Sequence, residues 1–364
     1  GLDGMGRNFA LVGAAGYIAP RHMQAIADVG GDLVAAADPH DNVGVLDRHF
    51  PEAAFFTEIE RFDRFLEKRR RGPEHERVHY LSVCSPNYLH DAHARLALRV
   101  GAHAICEKPV VISPWNLDAL ALLEEEYGRR VYPVLPLRLL PAVRTLRDRL
   151  RRSSPRRATI ELTYVTPRGR WYQVSWKGAL EKSGGLAMNI GIHLFDLLVW
   201  VYGRPSRAEV HLAEADKMAG ILELEGADVV WYVSTDARDL PEAATDSRAR
   251  APFRRLLEDG VPLDLSDGFG DLHSEVYRAI LDGKGLTLDD ARPSLELSYR
   301  LRSTPPGAPK AAAHPWTYRG AARRADPAIE EARPIPRCAA GGRAAGEVGQ
   351  PPGPADLKRV ISRP

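Results

Sequence analysis

Between Asn8 and about Val134, short and almost continuously apolar runs alternate with longer amphipathic stretches, and this rhythm most restricts how the chain can fold. Apolar strands separated by helices are typical of a parallel sheet that is covered on both faces. We therefore predict a doubly wound α/β domain over residues 1–140. The predicted strands are 8–13, 33–38, 78–84, 103–106 and 131–135, and helices are expected at 20–29, 43–49, 61–70, 89–100 and after Ser113, which should cap a helix that Gly128 ends.

The rhythm changes after Pro141, where several strands follow one another without helices between them. Consecutive strands of this kind indicate an antiparallel sheet. We predict an α+β domain over 141–317, built on an open antiparallel sheet with one face free to pack against another subunit. Its predicted helices are 143–152 and 188–202, and its predicted strands are 158–166, 208–215, 220–225 and 227–237, with a hairpin over 253–266 that turns at Asp259 and Gly260.

The remaining segment, 318–364, is rich in Pro, Ala, Gly and Arg and shows no apolar period. Such a composition buries too little apolar surface to offset the entropy cost of ordering. We expect this tail to be disordered.

Charge and cysteine content exclude several classes of protein. The formal net charge is only +2, whereas a nucleic-acid-binding protein is expected to carry a large basic excess. Cys84, Cys106 and Cys338 are odd in number and form no CxxC pair, which favours reduced thiols and a cytoplasmic location. No apolar run approaches the ~20 residues that span a bilayer, so no membrane segment is expected.

The first predicted strand ends in a glycine-rich turn, GAAGYIA (13–19), ahead of a helix. Backbone N–H groups in such a turn can approach a pyrophosphate. Ala15 replaces the second glycine of the usual pattern, so a plain tight turn is an alternative of equal weight. Asp38 ends the second strand, where a carboxylate accepts ribose hydroxyls and repels a 2′-phosphate; this predicts NAD, although a turn residue ahead of Pro39 is the alternative. The cofactor contacts predicted here are Gly13, Ala15, Gly16, Tyr17, Ile18 and Asp38.

The next two strands end in SPN (85–87) and in EKP (107–109). Ligands of open α/β sheets lie beyond the carboxyl ends of the strands, so both segments should line the cofactor cleft. Because Pro109 restricts the backbone of Lys108, this lysine is well placed to point into the cleft. A surface lysine in a connecting loop is the alternative. The additional cofactor contacts predicted are Ser85, Pro86, Asn87, His90, Glu107 and Lys108.

In the predicted helix 188–202, Asn189, His193 and Asp196 share one face at helical spacing. These three polar groups are expected to converge on one pocket. A histidine packed in the core of an apolar helix is the alternative explanation for His193.

Together, GAAGYIAPRH (13–22), Asp38, SPNYLHDAH (85–93) and CEKP (106–109) resemble the glucose-fructose oxidoreductase/inositol dehydrogenase/MocA family. The resemblance implies an NAD-binding Rossmann domain, a second domain with an open antiparallel sheet, and a Lys108 that reaches substrate, often beside a cis bond to proline. The segment 189–196 is similar to the family's D-x-G-x-H-x-x-D motif, with Asn189 in place of the first Asp.

Three further segments, 168–185, 268–281 and 288–297, are similar to one group of that family, the UDP-N-acetylglucosaminuronate 3-dehydrogenases. The similarity extends from about Asn8 to Arg302. It implies oxidation of the C3 hydroxyl of UDP-2-acetamido-2-deoxy-D-glucuronate to a 3-keto sugar in lipopolysaccharide O-antigen biosynthesis. It also implies a homo-oligomer, a dimer or tetramer, and a PLP-dependent aminotransferase that acts on the product. Pro136 and Leu140 depart from the group's pattern, in which Gln and His are expected.

For this reaction we predict that His193 and Lys108 share the roles of proton acceptor and charge stabiliser, and that Asn189 orients the sugar. Which of His193 and Lys108 is the base stays open. No metal is expected, and Asp271, His273 and Glu275 are interpreted as structural. The predicted substrate groove consists of Arg138, Arg168, Trp171, Tyr172, Trp176 and Lys177 with Asn189 and His193; a loop that packs its tryptophans in the core is the alternative for its 168–177 part.

Two other functions remain compatible with the sequence. The chain could be a dehydrogenase of another sugar or of inositol. It could also be a non-catalytic dinucleotide or sugar sensor on the same fold, although such a protein is expected to lose Lys108 or His193, and both are present.

Overall fold

The computed structural model describes residues 7–152, 156–241, 252–263, 272–309 and 312–318. Its first sheet has six parallel strands in the order β3-β2-β1-β4-β5-β6. The order reverses between β1 and β4, which opens a crevice at the carboxyl ends of these strands. The strands are β1 Asn8–Val12, β2 Asp32–Ala37, β3 Ala54–Phe56, β4 Tyr80–Val83, β5 His103–Cys106 and β6 Val131–Pro133, and the helices are α1 Ala19–Asp28, α2 Gly44–His49, α3 Ile59–Arg71, α4 His90–Arg99 and α5 Trp115–Tyr127.

The predicted α/β domain is confirmed in its order of strands and helices, with two local differences. Strand β3 was not predicted, because three residues are too few to show a period, and pairing with β2 holds it in place. Ser113 does not cap α5: the N-cap is Pro114, which forms no side-chain cap hydrogen bond. Gly128 ends the helix as predicted, in the left-handed conformation at φ +61°.

The second sheet is mixed, in the order β12-β11-β7-β10-β9-β8. Its strands are β7 Ala158–Val165, β8 Pro205–Ala213, β9 Lys217–Leu224, β10 Ala227–Ser234, β11 Phe253–Glu258 and β12 Val261–Pro262. The predicted antiparallel sheet is confirmed with one local difference among the described strands: β10 runs parallel to β7. A helical crossover separates β7 from β8, and the meander β8-β9-β10 then brings its last strand back beside β7. The hairpin is confirmed, with positive φ at both Asp259 and Gly260.

Helices α6 Pro141–Arg152 and α9 Ile192–Tyr202 pack on one face of this sheet. The shorter helices α7 Arg170–Val174 and α8 Leu180–Ser183 and a π-helical turn over Ala187–Gly191 lie between β7 and α9 in the chain. The run Leu180–Tyr202 is long and apolar enough to cross a membrane by length and composition alone. However, 83% of its apolar window is buried inside the protein. Such burial is typical of the core helix of a folded domain.

The last two helices, α10 Leu272–Leu281 and α11 Leu288–Ser303, return to the first sheet. Val276 and Tyr277 of α10 share a core cluster with Phe9 and Met23. Helix α11 contributes residues to the cores of both sheets. The domain boundary at 140/141 stays a prediction.

The face of the second sheet that we expected to be free is partly covered by the chain itself. His314 and Trp316 are buried there, and the His314 Nε2 atom lies 2.9 Å from the Thr163 hydroxyl. The Trp316 ring stacks on Phe253. The predicted disordered tail lies outside the described residues, apart from Tyr318.

Candidate active site

A cleft of about 1140 Å³ lies at the carboxyl ends of the first sheet and extends to the helical face of the second. Pockets for drug-sized ligands are usually about 300–1,000 Å³, so this cleft is large enough for a dinucleotide with a second ligand. All the residues predicted to contact the cofactor line it: Gly13, Ala15, Gly16, Tyr17, Ile18, Asp38, Ser85, Pro86, Asn87, His90, Glu107 and Lys108.

The glycine-rich turn is closed tightly against the neighbouring strand. Gly13 has φ +88°, and a Cβ atom there would lie 2.5 Å from the backbone of Cys84. Only glycine fits such a position. The Ala15 N–H donates to the Asp38 carboxylate at 3.0 Å, and the His40 N–H donates to its other oxygen at 2.9 Å. Asp38 thus holds the glycine-rich turn through Ala15 and closes the turn at Pro39 through His40, in agreement with the alternative of a turn residue ahead of Pro39. The remaining lone pairs of its carboxylate can still accept hydrogen bonds from ribose hydroxyls.

His90 joins the loop after β4 to the loop after β5. Its two ring nitrogens lie 2.6 Å from the carbonyl oxygen of Pro109 and 2.7 Å from that of Ser85. The Ser85 hydroxyl lies 2.8 Å from Nδ1 of His93. His90 lines the cleft, but its polar atoms hold the two loops together.

Lys108 is half-buried in the cleft wall and precedes a cis peptide bond to Pro109. Its ammonium donates to the Asn189 carbonyl oxygen at 2.7 Å. Burial lowers the Lys108 pKa to about 8, an effect that Glu107 opposes and that Lys177 and Arg168 reinforce. Lys108 can therefore change protonation state close to neutral pH.

His193 lies on α9 and lines the same cleft. Burial, reinforced by the positive charge of Lys108, holds the His193 pKa well below its ordinary value. Among the described residues, none forms a hydrogen bond with its ring. A neutral imidazole in this position can accept a proton.

Asp196 does not join Asn189 and His193 in the cleft. Its carboxylate accepts hydrogen bonds from Arg138 at 2.9 and 2.7 Å. The predicted convergence was wrong for Asp196, whose buried carboxylate pairs with Arg138 outside the cleft lining.

The prediction that Arg138 binds substrate needs the same correction. Arg138 is buried outside the cleft lining, and its guanidinium also donates to the Asp290 carbonyl oxygen at 2.7 Å. Pro136 lines the cleft, whereas Leu140 belongs to the core of the second domain.

A side-chain network fixes Asn189 between the two halves of the cleft. The Asn87 amide donates to the Asn189 amide oxygen at 3.1 Å and to the Ser183 carbonyl oxygen at 2.8 Å. The Asn189 amide nitrogen donates to the Tyr172 hydroxyl at 2.6 Å. An amide both donates and accepts, whereas an ionised Asp at 189 could only accept. The departure from the family motif therefore suits this network.

The structure places only part of the predicted substrate loop in the cleft, and its role in binding stays a prediction. Arg168, Tyr172, Trp176 and Lys177 line the cleft, but Trp171 does not. The Trp171 side chain is exposed, and its ring centre lies 4.7 Å from the Lys177 ammonium. The alternative of tryptophans packed in the core does not describe this loop.

Among the lining residues that sequence reasoning missed are Arg254 on β11 and Tyr164 on β7. The guanidinium carbon of Arg254 lies 5.2 Å from the centre of the Tyr164 ring. Alternation along β11 places Arg254 on the same face as the core residue Leu256, and this pattern could have identified it.

A buried cluster surrounds Glu107. Its Oε1 atom lies 2.9 Å from Nε2 of His22 and 3.1 Å from Nε2 of His273. The three atoms are of types that can bind a metal ion, and they lie within 4.8 Å of one another. The hydrogen bonds that both histidines form with one carboxylate oxygen already explain this spacing. His273, which we interpreted as structural, lines the cleft, whereas Glu275 pairs with Arg278 on the surface. Asp271 lies outside the described residues, and the absence of a metal stays a prediction.

Comparison with known proteins identifies the fold. Residues 7–134 match the NAD-binding Rossmann fold of an oxidoreductase family, and residues 154–248 match the C-terminal α/β domain of the same family. The WlbA (WbpB) dehydrogenase from Thermus thermophilus is 49% identical, over 85% of this chain and 99% of its own, with a TM-score of 0.81. That protein has been solved in complex with NAD and α-ketoglutarate and in complex with NAD and UDP-GlcNAcA.

Two curated relatives match shorter segments. The D-glucoside 3-dehydrogenase of Escherichia coli K12 is 27% identical over 38% of this chain and 40% of its own length. A protein named as a UDP-kanosamine synthase oxidoreductase subunit, from Amycolatopsis mediterranei, is 28% identical over 50% of this chain and 49% of its own. The chain thus matches less than half the length of either. From the family domains and the Thermus thermophilus match, the chain belongs to the Gfo/Idh/MocA oxidoreductase family, and its first domain is an NAD-binding Rossmann domain.

Proposed function

We propose that the protein is an NAD-dependent dehydrogenase that oxidises the C3 hydroxyl of UDP-2-acetamido-2-deoxy-D-glucuronate (UDP-GlcNAcA) to a ketone. The observation that carries the proposal is the convergence of Lys108, His193 and Asn189 on the cleft that the glycine-rich turn also lines. The 49% identical relative that binds NAD and UDP-GlcNAcA supports this choice of substrate.

The residues present fit the cofactor. Gly13 permits the close approach of the turn to Cys84, where a Cβ atom would collide, and Asp38 offers a carboxylate directly after β2. Bound NAD supplies the hydride acceptor of the reaction. Because the Asp38 carboxylate repels a 2′-phosphate, NAD is favoured over NADP.

We assign the proton transfer to His193 and the charge stabilisation to Lys108. Below about pH 8 Lys108 is mainly an ammonium, so it can donate a hydrogen bond to the C3 oxygen but cannot accept a proton. Burial holds the His193 pKa well below its ordinary value, so His193 is uncharged at neutral pH and can take the proton of the C3 hydroxyl. Asn189, fixed by Asn87 and Tyr172, orients the sugar.

The charge of the cleft suits a nucleotide sugar. Arg168, Lys177 and Arg254 line it together with Lys108. Cations on a groove recognise diphosphate and carboxylate groups. A neutral substrate such as inositol offers these cations no opposite charge.

The relative solved in complex with NAD and α-ketoglutarate suggests how the cofactor is reoxidised. Reduction of a 2-oxo acid to the 2-hydroxy acid consumes one hydride and one proton, which balances the oxidation of the sugar. The same cationic wall of Arg168, Lys177 and Arg254 suits a dicarboxylate.

The wider setting belongs to the same proposal. A 3-keto sugar is a substrate for a PLP-dependent aminotransferase, and the relative from Amycolatopsis is named as one subunit of a synthase. Cys84 and Cys106 are free and buried, which supports a cytoplasmic protein. We further propose a homo-oligomer, a dimer or tetramer, that serves O-antigen biosynthesis.

The test follows the absorbance of NADH in purified protein after addition of UDP-GlcNAcA, UDP-GlcNAc or free myo-inositol. We expect a rise that depends on UDP-GlcNAcA. Lys108→Ala should lower kcat about 10²–10³-fold with little change in NAD affinity. Lys284 is an exposed lysine, and Lys284→Ala is the matched control. A twofold effect of Lys108→Ala would remove its assigned role. Preference for inositol would point to another dehydrogenase, and NAD binding without turnover of any sugar would favour the sensor.

A further inference from the structure

The proposed reaction leaves unexplained a buried cluster that ends directly at the catalytic lysine. Glu107 precedes Lys108 and accepts a hydrogen bond from its backbone N–H at 3.2 Å. His22 and His273 converge on the other carboxylate oxygen. Each of the three side chains is nine-tenths buried or more. A carboxylate with this many donors is stabilised in its ionised form.

The direction of the hydrogen bonds can be followed beyond His22. The Tyr277 hydroxyl lies 2.7 Å from Nδ1 of His22 and 2.6 Å from the Ser82 hydroxyl. Burial lowers the pKa of His22, so its ring is neutral and carries one N–H. For Nε2 to donate to Glu107, Nδ1 must accept from Tyr277. The ionised Glu107 carboxylate can only accept, so it selects this tautomer of His22, and the Tyr277 hydroxyl supports the tautomer by donating to Nδ1.

The resulting cluster carries one negative charge among the cations of the cleft. Lys108 faces Lys177 and Arg168, which disfavour its ammonium, and Glu107, which favours it. His193 faces Lys108, Arg254 and His273, and Glu107 again acts in the opposite direction. The charge of Glu107 thus bears on both groups to which we assign the chemistry.

Helix α10 supplies two members of the cluster from far along the chain, and it is firmly anchored. Tyr277 lies in the core of the first sheet, and the Ser274 hydroxyl donates to Asp28 of α1 at 2.6 Å. His273 and Tyr277 stand one helical turn apart, so both can reach the cluster from the same face.

We propose that His273 and Tyr277 are positioning residues, which keep Glu107 negatively charged and thereby keep Lys108 in its ammonium form. His273 does so by direct donation to Glu107. Tyr277 does so through His22. The inference rests on the role of Lys108 in the proposed function, but it concerns a charge that can be measured without any substrate.

The experiment measures the pKa of Lys108 in the full chain by competitive acetylation over a pH series, read by mass spectrometry at that peptide. Glu107→Gln keeps the shape and removes the charge, so it should lower the Lys108 pKa by about one pH unit or more. His273→Leu and Tyr277→Phe should shift it in the same direction by less. His273→Gln keeps a donor and should restore the value of the unmodified protein. His75→Leu, an exposed position, is the matched control.

Three outcomes overturn the inference: an unchanged Lys108 pKa in Glu107→Gln, equal shifts for His273→Gln and His273→Leu, or additive shifts when His273→Leu is combined with Glu107→Gln. Additivity would mean that His273 acts on Lys108 without Glu107. If His273→Leu fails to fold, the Lys108 pKa in Glu107→Gln and in Tyr277→Phe still tests the inference. If the variants shift the Lys108 pKa as expected but the unmodified protein does not turn over UDP-GlcNAcA, this inference stands and the proposed function is refuted.

Discussion

The ion pair between Arg138 and Asp196 should be a major determinant of stability rather than of substrate binding. The side chains of Arg138 and Asp196 are only 7% and 2% exposed, and two hydrogen bonds of 2.9 and 2.7 Å join them. Removing one partner of such a pair leaves a buried charge without compensation, which costs about 3–5 kcal/mol. The free energy of unfolding of a folded domain is only about 5–15 kcal/mol, so the Arg138→Met variant should lose a large part of it.

Urea unfolding followed by circular dichroism gives the free energy of unfolding. We expect Arg138→Met and Asp196→Leu each to lose about 3–5 kcal/mol, and the double variant to lose less than the sum, because no buried charge remains unpaired. The matched control is Arg157→Met, which breaks an exposed pair with Asp228 and should cost no more than about 1 kcal/mol.

The opposite pattern would restore our original prediction for Arg138. If Arg138→Met unfolds like the unmodified protein while UDP-GlcNAcA binds far more weakly, the guanidinium serves the substrate and the buried pair does not explain its position.

Other substitutions test the cofactor turn, the site and the C-terminal segment. Gly13→Ala should weaken NAD binding at least tenfold in a titration, because its Cβ would meet the Cys84 backbone; unchanged affinity would contradict the tight turn. Asp38→Ala should relax the preference for NAD over NADP, measured as the ratio of kcat/KM values, and an unaltered ratio would remove Asp38 from the ribose site. The value of kcat/KM should fall above about pH 8 as Lys108 of the free enzyme loses its proton, and a rise there would make Lys108 the base. Trp316→Ala should cost about 3–5 kcal/mol in urea unfolding, because Trp316 is buried on the sheet; a loss below ~1 kcal/mol would mean that the segment does not cover it.

The sequence predicted the first domain well, because a parallel sheet covered on both faces leaves a continuous apolar pattern. The exception was β3, Ala54–Phe56, a short and half-buried edge strand whose only signal is its partner. The parallel pairing of β7 and β10 was missed for a different reason. Alternation along a strand reports which residues are buried, but it does not report which neighbour lies alongside.

The residues of the candidate site likewise fall into those that a local motif reveals and those that long-range contacts decide. Positions in the turns after the strands were found from local motifs, since their function follows from where each strand ends. Arg138 and Asp196 looked like ligands in sequence but pair with each other across 58 residues. Conversely, His273 looked structural, because nothing local indicates that α10 returns to Glu107. Long-range pairing of charges is the information that one sequence lacks.

The balance of charge in the cleft links substrate choice to the proposed chemistry. Lys177 and Arg168 favour the neutral amine of Lys108, and Glu107 alone opposes them among the named neighbours. A bound diphosphate or carboxylate would add negative charge close to these cations and raise the Lys108 pKa. On the proposed function, the anionic substrate itself therefore completes the ammonium form that stabilises the developing charge on oxygen. A neutral sugar brings no such charge, so it would meet a lysine that is already losing its proton near pH 8.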